Sequence, residues 1–353
     1  MTCAFVIALL LCATVAGVRA ADGQAFVGLN GNGTNLLLNP PAGGQVVVDG
    51  HVFQELVKRV DRVQQRLADH SCQVVADTTS VTGFDGGAKW DGGVLAGNGK
   101  IYGIPSISTS VLIIDPVTLT ADTTTITGLV GQYKLVGGVL ATNGKIYGIP
   151  WSSASVLIID PTTDTADTTT IITGVSNGVW AGGVLARNGK IYGVPYTSTS
   201  VLIIDPATNM TDTTTITGLG GNHKWYGGVL AGNGKIYGIP FNSPSVLVID
   251  PAINTADTTT ISSLGGEIKW TSGVLAGNGK IYCTPYNSGS VLIIDPTTDT
   301  ASTTTITGLG GEYKWKSAVL AGNGKIYGIP HSSASVLIVD PSTNTVDTAS
   351  IAG

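Results

Sequence analysis

The chain is poor in charge and in cysteine. Lys and Arg number 18 and Asp and Glu 23 among 353 residues, so only 12% of the chain is charged, about half the share of an ordinary globular protein. The net charge of −5 and the lack of any basic run argue against a nucleic-acid partner, because phosphate binding needs clustered cations. Of the four cysteines, Cys3 and Cys12 lie within residues 1–20, and the other two, Cys72 and Cys283, are too few for a disulfide framework.

Patterns of catalytic and metal-binding residues are missing as well. The four histidines have no metal-ligand spacing, and no Gly-x-Ser-x-Gly nucleophile elbow occurs. Asp115 and Asp122 lie close in sequence, but Asp-Pro begins a turn, and the alternating oxygen ligands of a calcium loop are lacking. We therefore expect no metal and no other cofactor, and the sequence favours a protein that is not an enzyme.

The chain is instead rich in apolar residues and glycine. Hydrophobic residues make up 42% of it, and 49 residues are glycine. The apolar content excludes an intrinsically disordered chain, and the absence of a Gly-X-Y period excludes collagen.

Residues 1–20 have the features of a secretory signal peptide. The apolar run 4–16 is followed by Val18-Arg19-Ala20, which suits cleavage after Ala20. Because a membrane span needs roughly 20 apolar residues, we predict a secreted, extracellular protein without membrane insertion; an N-terminal membrane anchor is the alternative. In a eukaryotic secretory pathway the sequons at Asn32 and Asn209 would carry N-glycans.

Two segments separate this signal from the remainder. Residues 21–50 are rich in Gly and Asn and are expected to form a linker or a small hairpin. In residues 51–71, apolar residues recur three and four apart, as in a short coiled coil, at Phe53, Leu56, Val60, Val63 and Leu67. This pattern predicts an amphipathic helix that either joins chains into a homo-oligomer or lies on the surface of its own chain.

Residues 74–353 form a repeat with a period of 45. The tyrosine of Gly-Lys-Ile-Tyr recurs at this spacing, at Tyr102, Tyr147, Tyr192, Tyr237, Tyr282 and Tyr327. Each unit contains four short candidate strands separated by Asn-Gly, Pro and Asp-Pro turn signals. In the fourth unit we expect them at residues 227–231, 235–239, 245–249 and 256–261. The sequence therefore predicts an all-β chain that forms a propeller of four-stranded blades.

The sequence contains six complete units and one additional copy of the fourth strand. Residues 76–83 match only the last strand of a unit. We predict a six-bladed ring that residues 74–82 close by lying beside the strands of the last blade, because closure removes exposed sheet edges. Residues 346–353 would then be a surplus edge. A seven-bladed ring and a Thr-rich β-solenoid are the alternatives.

The repeat resembles known propeller families. Asn-Gly-Lys-Ile-Tyr, a loop, Ser-Val-Leu-Ile-Ile-Asp-Pro and Thr-Asn-Thr are similar to kelch-type repeats and to the YVTN-type repeats of surface-layer propellers. The resemblance covers residues 74–353 and implies an extracellular binding role. It departs from kelch at Gly238-Ile239-Pro240, where kelch has a double glycine, and in lacking the tryptophan of the fourth strand.

The positions that vary between units are expected to share one face of the ring. In a four-stranded blade the loops from strand 2 to 3 and from strand 4 to 1 emerge on the same side. The variable positions lie in or beside these loops, and five of the six residues after the strand-ending Pro are aromatic or His. The candidate ligand-binding residues are Trp151, Tyr196, Phe241, Tyr286 and His331 after the strand-ending Pro, and Tyr133, His223, Tyr226 and Tyr313 beside the Trp position.

These rings either plug the mouth of the propeller or bind a ligand, because burying a large apolar side chain gains roughly 1.5–3 kcal/mol. The sequence predicts a secreted module that recognises an extracellular protein or glycan, by stacking on sugar rings or as an aromatic hot spot. A structural cell-surface or matrix protein is the alternative. A propeller-type hydrolase or lactonase is less favoured, because it needs carboxylates or histidines converging on the mouth.

Overall fold

The structure, a computed structural model, describes residue 84, residues 87–174, residues 178–351 and five short strands between residues 19 and 52. The chain divides into two compact units, Met1–Thr78 and Thr79–Gly353. Among the described residues, no helix has the length and apolar character needed to cross a lipid bilayer.

The strands of the first unit form two small antiparallel sheets. In chain order they are β1 (Arg19–Ala20), β2 (Phe26–Leu29), β3 (Leu36–Asn39), β4 (Val46–Val48) and β5 (His51–Val52). β2 pairs with β3, and β4 lies between β1 and β5.

The prediction of a helix from residue 51 is wrong for its first two residues, which form β5. Val48 pairs with His51, and Val47 pairs with Val52. The intervening Asp49-Gly50 is the dipeptide typical of a two-residue hairpin turn, so local turn chemistry prevails over the helical period here. The remainder of the predicted helix and coiled coil, and also Asn32 and Cys72, lie outside the described residues.

The second unit is a six-bladed β-propeller. Each blade is a sheet of four antiparallel strands that are consecutive in sequence. The first blade consists of β6–β9 (Trp90–Leu95, Ile101–Pro105, Leu112–Asp115, Thr120–Asp122), and the second of β10–β13 (Leu135–Leu140, Ile146–Pro150, Leu157–Asp160, Thr165–Asp167). The third consists of β14–β17 (Trp180–Leu185, Ile191–Pro195, Leu202–Asp205, Met210–Asp212).

The remaining three blades repeat this order. The fourth blade consists of β18–β21 (Trp225–Leu230, Ile236–Pro240, Leu247–Asp250, Thr255–Asp257). The fifth consists of β22–β25 (Trp270–Leu275, Ile281–Pro285, Val291–Asp295, Thr300–Ile306), and the sixth of β26–β29 (Trp315–Leu320, Ile326–Pro330, Leu337–Asp340, Thr345–Asp347). The predicted fold class and number of blades are confirmed.

The outer strand of most blades is shorter than predicted. In the fourth blade it ends at Asp257, whose Oδ1 accepts the backbone N–H groups of Thr259 (2.7 Å) and Thr260 (3.3 Å). This side-chain turn withdraws the backbone from strand pairing. The fifth blade has Ser302 at the equivalent position, and its outer strand continues to Ile306.

The outer strand of the sixth blade is not the one that was predicted. β29 (Thr345–Asp347) pairs with β28 (Leu337–Asp340) at the edge that residues 74–82 were expected to occupy. Residues 346 and 347 are therefore part of the sixth blade rather than a surplus edge. A strand that follows its partner after a short turn closes a much smaller loop than a segment from the start of the chain, which favours the local pairing. Residues 74–82 lie outside the described residues.

Five junctions between consecutive blades are filled by apolar side chains. Between the second and third blades, for example, Tyr147, Ile149 and Ile191 have no exposed surface. Gly183 belongs to this junction because a Cβ there would lie 2.7 Å from Cδ1 of Ile149. We call these five the filled junctions.

A hydrogen bond from tyrosine to the next blade accompanies each filled junction. The Tyr192 hydroxyl donates to Oδ1 of Asn254 (2.6 Å) in a turn of the fourth blade. The same bond joins Tyr102 to Asp164, Tyr147 to Asn209, Tyr237 to Asp299 and Tyr282 to Asn344. We call the junction between the sixth and first blades, which differs in both respects, the closing junction.

Candidate functional site

One cavity at the mouth of the ring gathers residues from all six blades. Its volume is about 330 Å³. The lining residues come from the loops between strands 2 and 3, the loops before the inner strands, and the starts of those strands: Ala88, Trp90, Asp91, Ser106, Tyr133, Val136, Trp151, Tyr196, Tyr226, Phe241, Thr271, Tyr286 and Lys316. Residues at positions that vary between units, at least one from each blade, thus meet at one rim.

Backbone hydrogen bonds connect these loops to one another around the mouth. The N–H of Trp151 donates to the carbonyl of Lys134 (2.8 Å), and the N–H of Lys134 donates to the carbonyl of Ser106 in the preceding blade (3.0 Å). The alternation continues without a break, through Val179, Tyr196, Lys224, Phe241, Lys269, Tyr286 and Lys314 to His331. The loops that carry the side chains after the strand-ending Pro are therefore joined by an unbroken series of backbone hydrogen bonds from Ser106 to His331.

Buried lysines add side-chain hydrogen bonds between the same loops. Nζ of Lys224 donates to the carbonyls of Ser198 (2.8 Å), Gly221 (2.9 Å) and Tyr196 (3.2 Å). Burial lowers the pKa of Lys224 and of Lys269 to about 8. Sequence reasoning missed these lysines, although a Lys stands before the inner strand in five of the six units.

The aromatic residues of the second to fourth blades form one wall of the cavity. The ring centroids of Trp151 and Tyr196 are 4.5 Å apart, and Tyr226 lies 6.2 Å from Trp151 and 6.0 Å from Phe241. All four side chains are partly buried. Burial raises the pKa of Tyr226, so its phenol is a neutral hydrogen-bonding group at physiological pH.

The other predicted residues divide between the cavity and its surroundings. Tyr286 and Tyr133 line the cavity. His223 stacks on Tyr196 at 4.7 Å, while Tyr313 and His331 meet the ring of Tyr286 edge-on at 5.3 and 5.5 Å. His223, Tyr313 and His331 are exposed and support wall residues from outside.

A polar side faces the aromatic wall. Nζ of Lys316 and Oδ2 of Asp91 are 3.0 Å apart and join the sixth blade to the first. Ser106 and Thr271 add hydroxyl groups to the lining. The sequence alone does not pair Asp91 with Lys316, because 225 residues separate them and only the ring brings them together.

The chemistry of the described residues offers little for metal binding. No group of three or more His, Cys, Asp or Glu side chains in the described part of the chain could hold a metal ion. Asp122, which sequence reasoning weighed as a calcium ligand, bonds to the backbone and side chain of Thr124. Cys283 is a buried free thiol.

The predicted glycosylation residue Asn209 lies in an exposed turn of the third blade. Its Oδ1 accepts the hydroxyl of Tyr147 (3.1 Å), so the side chain also links two blades. Glycosylation at this residue stays a prediction.

No family model matches the chain, and no curated protein matches it. Solved structures do resemble it. A catalytically inactive virginiamycin B lyase from Staphylococcus aureus with quinupristin is 9% identical, with a TM-score of 0.58 over 78% of this chain and 86% of that chain. The extracellular domain of a proposed hybrid two-component system protein from Bacteroides thetaiotaomicron is 12% identical, with a TM-score of 0.57 over 77% and 38%.

A proposed 6-phosphogluconolactonase from Bacteroides uniformis is 12% identical, with a TM-score of 0.54 over 73% of this chain and 83% of that chain. Identities this low show the propeller fold alone, and one fold hosts many functions. The resemblance to kelch and YVTN repeats therefore stays at the level of the fold.

Proposed function

We propose that the protein is an extracellular binding module whose mouth takes a glycan end of one or two sugar units. The observation that carries the proposal is the cavity itself, which has an aromatic wall on one side and hydroxyl and charged groups on the other. A volume of about 330 Å³ is at the lower end of the usual range for small-ligand sites.

The two sides of the cavity suit the two faces of a sugar. Pyranose rings present apolar C–H faces that stack on aromatic rings, which Tyr226, Phe241 and Tyr286 offer. Sugar hydroxyls need donors and acceptors, which Asp91, Lys316 and Thr271 provide. The extracellular setting rests on the signal-like residues 1–20 and is supported by the extracellular domains among the structural neighbours.

The experiment is a glycan panel followed by calorimetric titration of any glycan that binds. We expect Tyr286→Ala and Asp91→Asn to reduce affinity at least tenfold, since the first removes an aromatic ring from the lining and the second removes the negative charge of its polar side. Ile253→Ala is the control, because Ile253 is 68% exposed in a turn on the opposite face. A panel without saturable binding would contradict the proposal, and binding of a protein loop instead would support the hot-spot alternative.

The plug alternative predicts a different result. Trp151 lies between Tyr196 and Gly178. A Cβ added at Gly178 would lie 3.5 Å from the indole, so part of the aromatic wall is packed against its own chain. We would then find lower stability and unchanged glycan affinity in each of four variants, Trp151→Ala, Tyr196→Ala, Phe241→Ala and Tyr286→Ala. That result would mean that the rings stabilise the propeller and do not contact a ligand.

A propeller-type lyase or lactonase is the second candidate, favoured because one structural neighbour is a lyase and another a proposed lactonase. Asp91 and Lys316 are the charged residues that line the cavity, and they are paired to each other. Turnover of a lactone that Asp91→Asn abolishes would support this candidate. A purely structural cell-surface role is the outcome if neither binding nor turnover is found.

A further inference from the structure

The two sheet faces at the closing junction have the apolar pattern of the filled junctions but are exposed. Val319 and Ile329 on the sixth blade are 54% and 45% exposed, and Leu95 on the first blade is 62% exposed. At equivalent positions, Val184 is 9% exposed and Ile149 has no exposed surface. The two faces have residues suited to pack, yet they stand apart.

The tyrosine bond is absent from this junction for a reason in the sequence. The residue that would accept the hydroxyl of Tyr327 is Leu119, where the other five blades have Asp or Asn. Among the described residues, the Tyr327 hydroxyl contacts Nδ2 of Asn323 in its own blade (3.0 Å). Leu119 has a φ of 54°, a left-handed conformation that Asn and Asp tolerate far better than Leu.

The series of backbone hydrogen bonds around the mouth is interrupted at the same junction. In the filled junctions the backbone N–H before the inner strand donates to a carbonyl of the preceding blade, as Lys314 does to Tyr286 (3.0 Å). Among the described residues, the N–H of Lys89 has no such bond to His331. Nζ of Lys314 and Nζ of Lys89 each lie over the ring of the following Trp, at 5.9 and 5.8 Å. Nζ of Lys314 also contacts three carbonyls, and among the described residues Nζ of Lys89 has no such contact.

We propose that the propeller opens and closes at the closing junction, and that Leu119 shifts the balance towards the open form. In the closed form Val319 and Ile329 pack on the first blade as their counterparts pack in the filled junctions. Trp90, Asp91 and Lys316 line the cavity from the two sides of this junction, so closure narrows the mouth. The effect on the mouth rests on the proposed function, whereas the motion itself does not.

The rate of thiol labelling at Ile329→Cys measures how often the junction is open. The background has Cys3, Cys12 and Cys72 replaced by Ser; Cys283 stays, because it is fully buried and burial raises its thiol pKa. We expect Leu119→Asn to slow maleimide labelling about fivefold, the factor for one added net hydrogen bond. Leu119→Gly is the matched control, because it relieves the same backbone strain without an acceptor, and it should label about twofold slower at most.

Tyr327→Phe provides the decisive second variant. In the chain with Leu119→Asn, Tyr327→Phe should restore the fast labelling rate. In the chain that keeps Leu119, it should leave the labelling rate unchanged. Equal rates for Leu119→Asn and Leu119→Gly, or a slow rate that survives Tyr327→Phe, would overturn the proposal. So would sedimentation showing a dimer that protects Ile329→Cys, because a second copy would then cover the face. The labelling experiment measures the motion without any glycan, so a failure to detect glycan binding would leave the labelling result intact.

Discussion

The filled junctions and the closing junction differ in packing and in hydrogen bonding although the same repeat forms them all. In a repeat protein, stability is approximately a sum of terms for each unit and for each interface between neighbours. The second to fifth blades each have two filled junctions, while the first and sixth each have one. From this difference we expect ring closure to be the least stable contact between blades, and local opening to begin at the first and sixth blades.

The largest effect we expect comes from truncating the same position in the two kinds of junction. Ile149→Ala should lower the free energy of unfolding by about 2–5 kcal/mol, because Ile149 is fully buried and its removal leaves a cavity. Ile329→Ala should cost under about 1 kcal/mol, since its side chain is already half in solvent. Urea unfolding followed by tryptophan fluorescence measures both, and equal losses would mean that the closing junction is filled in solution.

The fold follows from the sequence because every unit repeats the same turn signals, so one correct interpretation applies six times. The ends of the strands could not be predicted from the sequence. Asp257 ends its strand by accepting two backbone N–H groups, and strand propensity takes no account of such side-chain hydrogen bonds. The shared rim of the variable residues follows from loop topology alone. The Asp91–Lys316 pair and the role of Leu119 do not, because both depend on contacts between blades whose partners only the structure identifies.

A smaller effect should come from adding one methyl group to an inner strand. Gly183→Ala places a Cβ 2.7 Å from Cδ1 of Ile149, and overpacking of this kind costs about 1–3 kcal/mol. At Gly93 in the first blade the nearest atom to such a Cβ is Cγ2 of Ile101 at 3.4 Å. Gly93→Ala should therefore leave stability unchanged or raise it by up to about 1 kcal/mol. Thermal unfolding of the two variants tests this, and a matching loss for Gly93→Ala would contradict the open junction.

The tyrosine hydroxyls allow a finer test of the same difference. Tyr192→Phe removes a buried donor and leaves Oδ1 of Asn254 without it, at a cost of about 1 kcal/mol. Tyr327→Phe should change stability by less than about 0.5 kcal/mol, because its hydroxyl has no partner on another blade among the described residues. Urea unfolding of both variants, repeated in the Leu119→Asn background, should show a cost for Tyr327→Phe only in that background, where the introduced amide can accept the bond.

The smallest effect concerns the ion pair that spans the closing junction. The side chains of Lys316 and Asp91 are 45% and 24% exposed, and exposed pairs of this kind contribute about 0–1 kcal/mol. Lys280→Ala is the matched control, because Lys280 pairs with Asp295 inside one blade at similar exposure, 42% and 23%. We expect both variants to unfold within about 1 kcal/mol of the parent chain, with little dependence on salt. If Lys316→Ala alone lowered the free energy of unfolding by more than about 2 kcal/mol, this ion pair would be the contact that keeps the sixth and first blades together. The weakness of the closing junction would then lie only in its apolar faces.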